Sequence, residues 1–141
     1  MAWKYKTPFL GGELESTLHY SPRLFDGKLP FENGGLVNLN RDFYGGTILY
    51  RSSSDSRYGK GIIGLDFQNQ RDHRKRYVNL LGTKGNQTMN QIERFNAASA
   101  FGIWSISVGK SMFDFGLRYD SNLVALDDRF ESSEETYHSN Y

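Results

Sequence analysis

Alternation with a period of two residues runs along most of the chain. From Ser111 to Asp120, Phe113, Phe115, Leu117 and Tyr119 occupy one parity, and Asp114, Gly116, Arg118 and Asp120 the other. Successive side chains of a strand point to opposite faces, so this is an amphipathic strand with an aromatic side; a helix would scatter the four apolar residues around its circumference. Gly61 to Gln70 repeats the pattern, with Ile63, Leu65 and Phe67 between Gly64, Asp66, Gln68 and Gln70. Near the start, Leu14, Leu18 and Tyr20 alternate with Glu13, Glu15, Thr17 and His19. In Leu36 to Ser52 the apolar parity changes from Val37, Leu39 and Phe43 to Ile48 and Tyr50, and a β-bulge at Gly45-Gly46 is expected to absorb the change. Gln91 to Val108 carries Phe95, Phe101 and Ile103 on one parity and Trp104, Ile106 and Val108 on the other, so its faces stay unassigned.

The connections divide the chain further. Pro8 to Gly12 and Val108 to Ser111 are short enough for tight hairpins. Phe25 to Gly35 and Asp72 to Asn90 are long and polar, and Ser52 to Lys60 is intermediate. The resulting expectation is six strands: Ala2–Thr7, Gly12–Phe25, Leu36–Ser52, Gly59–Arg76, Gln91–Val108 and Ser111–Asp127, followed by a polar tail from Glu131. Several exceed the usual strand length of roughly 5–6 residues. No helical window and no linker marks a second domain, so residues 1–141 read as one all-β antiparallel meander. Long strands, an apolar-and-polar dyad and Tyr, Trp and Phe near strand ends (Trp3, Tyr5, Tyr20, Tyr50, Tyr119) describe an open, curled segment of a transmembrane β-barrel. A soluble antiparallel sheet shares the alternation and stands as the alternative.

Composition changes this picture in a few places. The chain is 38% hydrophobic, a low value that suits a barrel wall in which every second residue meets lipid. No apolar run is long enough for a transmembrane helix, and the opening MAWKYKTPFLGGE lacks the apolar core of a signal peptide. With 17 Lys and Arg against 16 Asp and Glu, the chain has no basic excess of the kind nucleic-acid binding requires. Cysteine is absent, which excludes disulfides, thiolate zinc sites and thiol nucleophiles.

Candidate chemistry is sparse. Gly59 to Gly64 satisfies G-x-G-x-x-G, yet it opens a strand, whereas dinucleotide binding needs it to open a helix. His19, His73 and His138 sit in separate segments without metal-ligand spacing, and no nucleophile elbow is present. The reading is therefore a non-enzyme without cofactor or metal. Arg71, His73, Arg74, Lys75 and Arg76 form the sharpest charge feature. They suit lipid phosphates or an anionic chelate, or else pair with acids such as Asp72 and Glu93. Asp127, Asp128, Glu131, Glu134 and Glu135 form an acidic group best read as loop solvation. Asp66, Gln68, Asp114, Arg118 and Asp120 share the polar parity, and a cross-strand ladder of Asp66 and Asp114 beside Arg118 is expected if their strands adjoin.

Several segments together resemble one family. GIIGLDFQNQRDHRKRY (Gly61–Tyr77), VNLLGTKGNQTMNQIERF (Val78–Phe95), FDFGLRYDSN (Phe113–Asn122) and LDDRF (Leu126–Phe130) are similar, in order and spacing, to strands and loops of TonB-dependent outer-membrane receptors of the siderophore-receptor type. LPF ahead of NLNRDFYGG fits the same pattern. The resemblance implies a piece of a receptor barrel in the outer membrane of a Gram-negative bacterium. Its parent would bind a scarce nutrient, foremost a ferric siderophore, and import it by energised transport. The implied partners are outer-membrane lipid and lipopolysaccharide, and for the parent the ferric chelate and the TonB complex. The ligand-binding candidates are Arg71, Arg74, Arg76 and Arg118. Members are longer, with a plug domain inside a barrel of about twenty-two strands, so the expectation is an internal barrel piece without plug or signal peptide.

Overall fold

A computed structural model describes residues 1–53, 59–130 and 133–140. All of its regular structure is strand: β1 (Ala2–Phe9), β2 (Gly12–Lys28), β3 (Leu36–Arg51), β4 (Lys60–Leu80), β5 (Thr83–Val108), β6 (Ser111–Asp128) and β7 (Ser133–Asn140). They form a single sheet in chain order, every neighbouring pair antiparallel, with β1 and β7 at the open edges. The all-β meander expected from the alternation is present. Seven strands stand where six were expected, because β7 occupies part of the presumed polar tail.

Three tight turns join the strands. Leu10-Gly11 and Leu81-Gly82 place both central residues at positive φ, the geometry whose twist matches that of paired strands. Gly109-Lys110 has positive φ at its glycine and closes β5 onto β6, as the spacing predicts. The segment 72–90, expected to be a long loop, is instead a paired extension of β4 and β5 that ends at Leu81-Gly82. Two register shifts interrupt it, between Arg76 and Tyr77 and between Tyr77 and Asn79, after which the pairing continues to Leu80 and Thr83. The connection from β2 to β3 is pinned to this extension. The Asn79 backbone N–H donates to Glu32 O (2.7 Å), and its side-chain amide donates to Leu29 O (2.8 Å).

The expected bulge at Gly45-Gly46 is absent. His19, Gly45 and Gln68 pair in one row, Leu18, Gly46 and Phe67 in the next, and the register runs through without interruption. The apolar parity changes there because the character of the two faces changes, not because the strand is kinked. The cross-strand register sorts every side chain. One face, the aromatic face, carries Trp3, Tyr5, Leu14, Leu18, Tyr20, Tyr44, Ile48, Tyr50, Ile63, Leu65, Phe67, Trp104, Phe113, Phe115, Leu117 and Tyr119. The polar face carries Glu15, Thr47, Asp66, Gln68, Asp114, Arg118 and Asp120, as the alternation predicts. The unassigned β5 residues now separate: Phe95, Phe101 and Ile103 lie on the polar face, and Trp104, Ile106 and Val108 on the aromatic one. Phe101 and Ile103 stand in register with Gly64 and Gly116, where no side chain competes for the space. Large residues beside strand glycines restore the contact the glycine lacks.

The sheet has almost no interior. Leu36 and Ile92 are the buried hydrophobic residues among those described, while the aromatic face is open, with Leu117 82% exposed. A single sheet has one layer, and domains bury a core between at least two. The apolar face therefore needs a second layer that this chain does not supply.

Candidate functional site

The aromatic face is the feature that function has to explain. Its apolar residues form a belt across six strands: Trp3 to Phe9 on β1, Leu14 to Tyr20 on β2, Tyr44 to Tyr50 on β3, Ile63 to Phe67 on β4, Ala98 to Val108 on β5 and Phe113 to Tyr119 on β6. Seven residues such as Phe113 to Tyr119 extend about 20 Å between end Cα atoms at about 3.3 Å per residue. That is of the order of the roughly 25 Å apolar band of outer-membrane barrels. Tyr20 and Tyr44, paired across β2 and β3, mark one rim, and the Tyr20 hydroxyl donates to Asp42 (2.7 Å). Beyond this rim the same face turns largely polar, with Asn38, Asn40 and Asp42 on β3, Asn69, Arg71, His73 and Lys75 on β4, and Asn90, Arg94 and Asn96 on β5, interrupted by Leu24, Leu36 and the buried Ile92. Within the belt, Ala98 and Ala100 of β5 are small, and a trough of about 390 Å³ opens there between Ile48, Leu65, Phe67 and Tyr119.

The polar face is held by side-chain networks at three levels. Near the β1–β2 turn, Glu15 is held by Lys4 (2.7 Å), Lys6 (3.1 Å) and Arg51 (2.9 Å), and Lys6 also reaches Glu13 (2.9 Å). At mid-sheet, the Thr47 hydroxyl donates to Asp66. Arg118 pairs with Asp120 (2.8 Å), donates to Ser99 Oγ (3.0 Å) and lies over the Phe101 ring at 5.5 Å. Toward the β4–β5 extension, Arg41 binds Asp72 with a two-pronged fork at 2.7 and 2.5 Å, and the Gln70 amide donates to the same carboxylate (3.2 Å). Arg74 lies 3.6 Å from Asp72 and 3.3 Å from Glu93. Asp72 is 0% exposed, so the fork carries a fully desolvated carboxylate; beside it, the Arg41 guanidinium is held above its ordinary range by that hydrogen bond. Charge-assisted bidentate pairs of this kind are the strong hydrogen bonds of a fold.

The structure separates the candidates that the sequence grouped. Strand pleating splits the basic run: Arg71, His73 and Lys75 lie on the aromatic face and Arg74 and Arg76 on the polar face. Arg74 has the acidic partners Asp72 and Glu93. Arg118 is far from Arg74, since their partners on β5, Phe101 and Gln91, are ten residues apart, about 33 Å along the strand. The four arginines therefore do not converge on one pocket. The ladder of Asp66, Asp114 and Arg118 does not form as expected, because β5 lies between β4 and β6; Asp114 accepts from Ser105 (2.5 Å) instead. Of the acidic group, Asp127 pairs with Arg129 (3.2 Å), Glu131 lies outside the described residues, and nothing is described of the side chains of Glu134 and Glu135. His19 stacks near Phe43 (5.2 Å), His73 bonds Asn90 (2.9 Å) and His138 is on β7. Among the described residues no group of three acidic or histidine side chains is placed to hold a metal ion. Gly59 to Gly64 leads into β4, not a helix.

Two residues that the sequence reading did not single out matter here. Arg41 supplies the partner of Asp72, and Arg94 faces Arg71 directly across β4 and β5. The Arg41 contact had a local signal, the alternation of NLNRDF, but its pairing with Asp72 depends on register alone. The chain matches no family model, no curated protein and no solved structure.

Proposed function

We propose that the chain is part of the barrel wall of a TonB-dependent outer-membrane receptor of the siderophore-receptor type. Its parent takes up a scarce nutrient, foremost a ferric siderophore, by binding it at the outer surface and moving it inward in an energised step coupled to the TonB complex. No covalent chemistry is involved. The chain resides in the outer membrane of a Gram-negative bacterium, with lipid and lipopolysaccharide as its surroundings. The observation that carries this reading is the belt: a continuous exposed apolar band on one face, backed by a polar face on which Lys4, Lys6, Arg41, Arg51, Arg74 and Arg118 pair with acids. Lipid is the layer that covers such a band without a second sheet. The motif resemblance in Gly61–Tyr77 and Phe113–Asn122 supports the receptor family in particular.

Two open edges with unpaired backbone groups and an apolar face favour association in water. The 141-residue chain alone is accordingly expected to be oligomeric or insoluble without detergent, and not to bind a ferric siderophore specifically. Size-exclusion chromatography with light scattering in detergent-free buffer tests this. A stable monodisperse monomer with strand-type circular dichroism overturns the membrane reading and selects a soluble β-sheet interaction protein, because such a monomer must bury the Phe113–Tyr119 stripe. For the parent, loss of growth on a ferric siderophore as sole iron source when this segment is deleted is the expected result. Unimpaired growth refutes the transport assignment.

A further inference from the structure

Beyond the tyrosine rim, the aromatic face carries charge that the fold does not use. Arg71 of β4 and Arg94 of β5 are direct cross-strand partners, both exposed. Lys75 follows on the same face of β4, two pairs further on. Like charges directly opposite one another destabilise a sheet. On the polar face, Lys4, Lys6, Arg41, Arg51, Arg74 and Arg118 each have an acid within ion-pair distance, whereas Arg76 has none among the described residues and Arg23, opposite Arg41, lies over the Phe25 ring. Among the described residues Arg71, Arg94 and Lys75 have none. Asp42, the other cross-strand neighbour of Arg71, accepts from the Tyr20 hydroxyl (2.7 Å) and stays outside ion-pair distance of Arg71, and Arg94 faces Ala125 on its other side. Asp127 on β6 is held by Arg129 (3.2 Å).

The position of these cations identifies what they meet. Phe67 and Ala98 are the last belt pair on β4 and β5; Asn69 and Asn96 come next, in the same row as Tyr20 and Tyr44, and Arg71 and Arg94 follow. The arginines thus stand about 7 Å along the strand beyond the rim. A headgroup layer is about 5–8 Å deep on each side of the hydrocarbon. Guanidinium forks and ammonium groups at that depth match phosphate oxygens in charge and reach.

We propose that Arg71, Arg94 and Lys75 bind the phosphate groups of anionic lipid headgroups in the leaflet that meets the tyrosine-rimmed edge of the belt. This rests on the membrane reading above. The lipid phosphate would offset the repulsion between Arg71 and Arg94, which no acid within ion-pair distance offsets in the sheet.

The test uses the whole chain refolded, as an assembly in which neighbouring copies close one another's open edges, into vesicles of phosphatidylcholine, with and without phosphatidic acid. Quenching of Trp3 and Trp104 by brominated acyl chains reports belt insertion, and flotation at low salt reports partition. Insertion is expected in both vesicles, with partition about a hundredfold tighter when phosphatidic acid is present, from about fivefold per cation. The variant Arg71→Gln/Arg94→Gln/Lys75→Gln is expected to lose that preference, while Arg71→Lys/Arg94→Lys keeps most of it. Arg94→Glu creates an opposite-charge pair with Arg71 and so does not threaten folding, yet it too is expected to lose most of the preference. Equal partition of the parent chain, or a preference that survives in Arg94→Glu and the triple variant, overturns the proposal while quenching leaves the belt reading standing. No quenching in either vesicle overturns both.

Discussion

Leu65→Arg separates a lipid-facing belt from a face that meets water. Leu65 lies at the middle of the belt on β4, in register with Ile48 of β3 and Ala100 of β5, and is 56% exposed. An arginine on the lipid face of a barrel costs about 2–4 kcal/mol near the bilayer midplane. In water the same change replaces an already exposed leucine, and such surface substitutions stay within about 0.5 kcal/mol. Urea unfolding of the vesicle-inserted chain, followed by Trp3 and Trp104 emission, reads the difference. With a urea slope of about 2 kcal/mol per molar, the middle of the usual range, the midpoint is expected to fall by roughly 1–2 M. Gln68→Arg is the matched control, since Gln68 is exposed on the polar face three residues away and is expected to leave the midpoint unchanged. In detergent-free buffer Leu65→Arg has the opposite consequence, a larger soluble fraction, because it interrupts the apolar band. An unchanged midpoint for Leu65→Arg, or an equal fall for Gln68→Arg, refutes the assignment of the two faces.

Three further predictions follow from single contacts. Asp72→Ala removes the fully buried carboxylate that Arg41 grips at 2.7 and 2.5 Å; a loss of about 2–3 kcal/mol is expected in denaturant titration, below the roughly 3–5 of a wholly buried pair because Arg41 keeps solvent contact. Gly61→Val is expected to cost about 1–3 kcal/mol and to shift Trp104 emission, since even a Cβ at Gly61 would stand 2.1 Å from the Trp104 ring; an unshifted spectrum with full stability argues against that packing. Leu81→Asn is expected to stabilise the β4–β5 turn by about 1 kcal/mol, because Leu81 has a φ of 52° and is 105% exposed, a conformation that asparagine tolerates and leucine does not; a lowered unfolding midpoint contradicts it.

Alternation by itself determined the all-β class, the meander, the two short hairpins flanking β2 and β6, and the split of Phe113, Phe115, Leu117 and Tyr119 from Asp114, Arg118 and Asp120. Parity is a local property, and a belt with unlike surroundings on its two sides writes it into each strand separately. Past the tyrosine rim polar residues occupy both faces and the apolar ones no longer keep to one, with Val37, Leu39 and Phe43 on one side and Leu36 and Ile92 on the other, so the contrast between parities is lost and paired strand looks like loop. That is why 72–90 reads as a connection and Ser133–Asn140 as a tail, although both are strand. The same loss of contrast made Val37, Leu39 and Phe43 look like a phase error in need of a bulge. Register, which no single segment encodes, decided the rest. It set Arg41 against Asp72, kept Asp66 a full strand away from Arg118, and brought Arg71 face to face with Arg94, residues twenty-three positions apart that only the β4–β5 pairing makes neighbours.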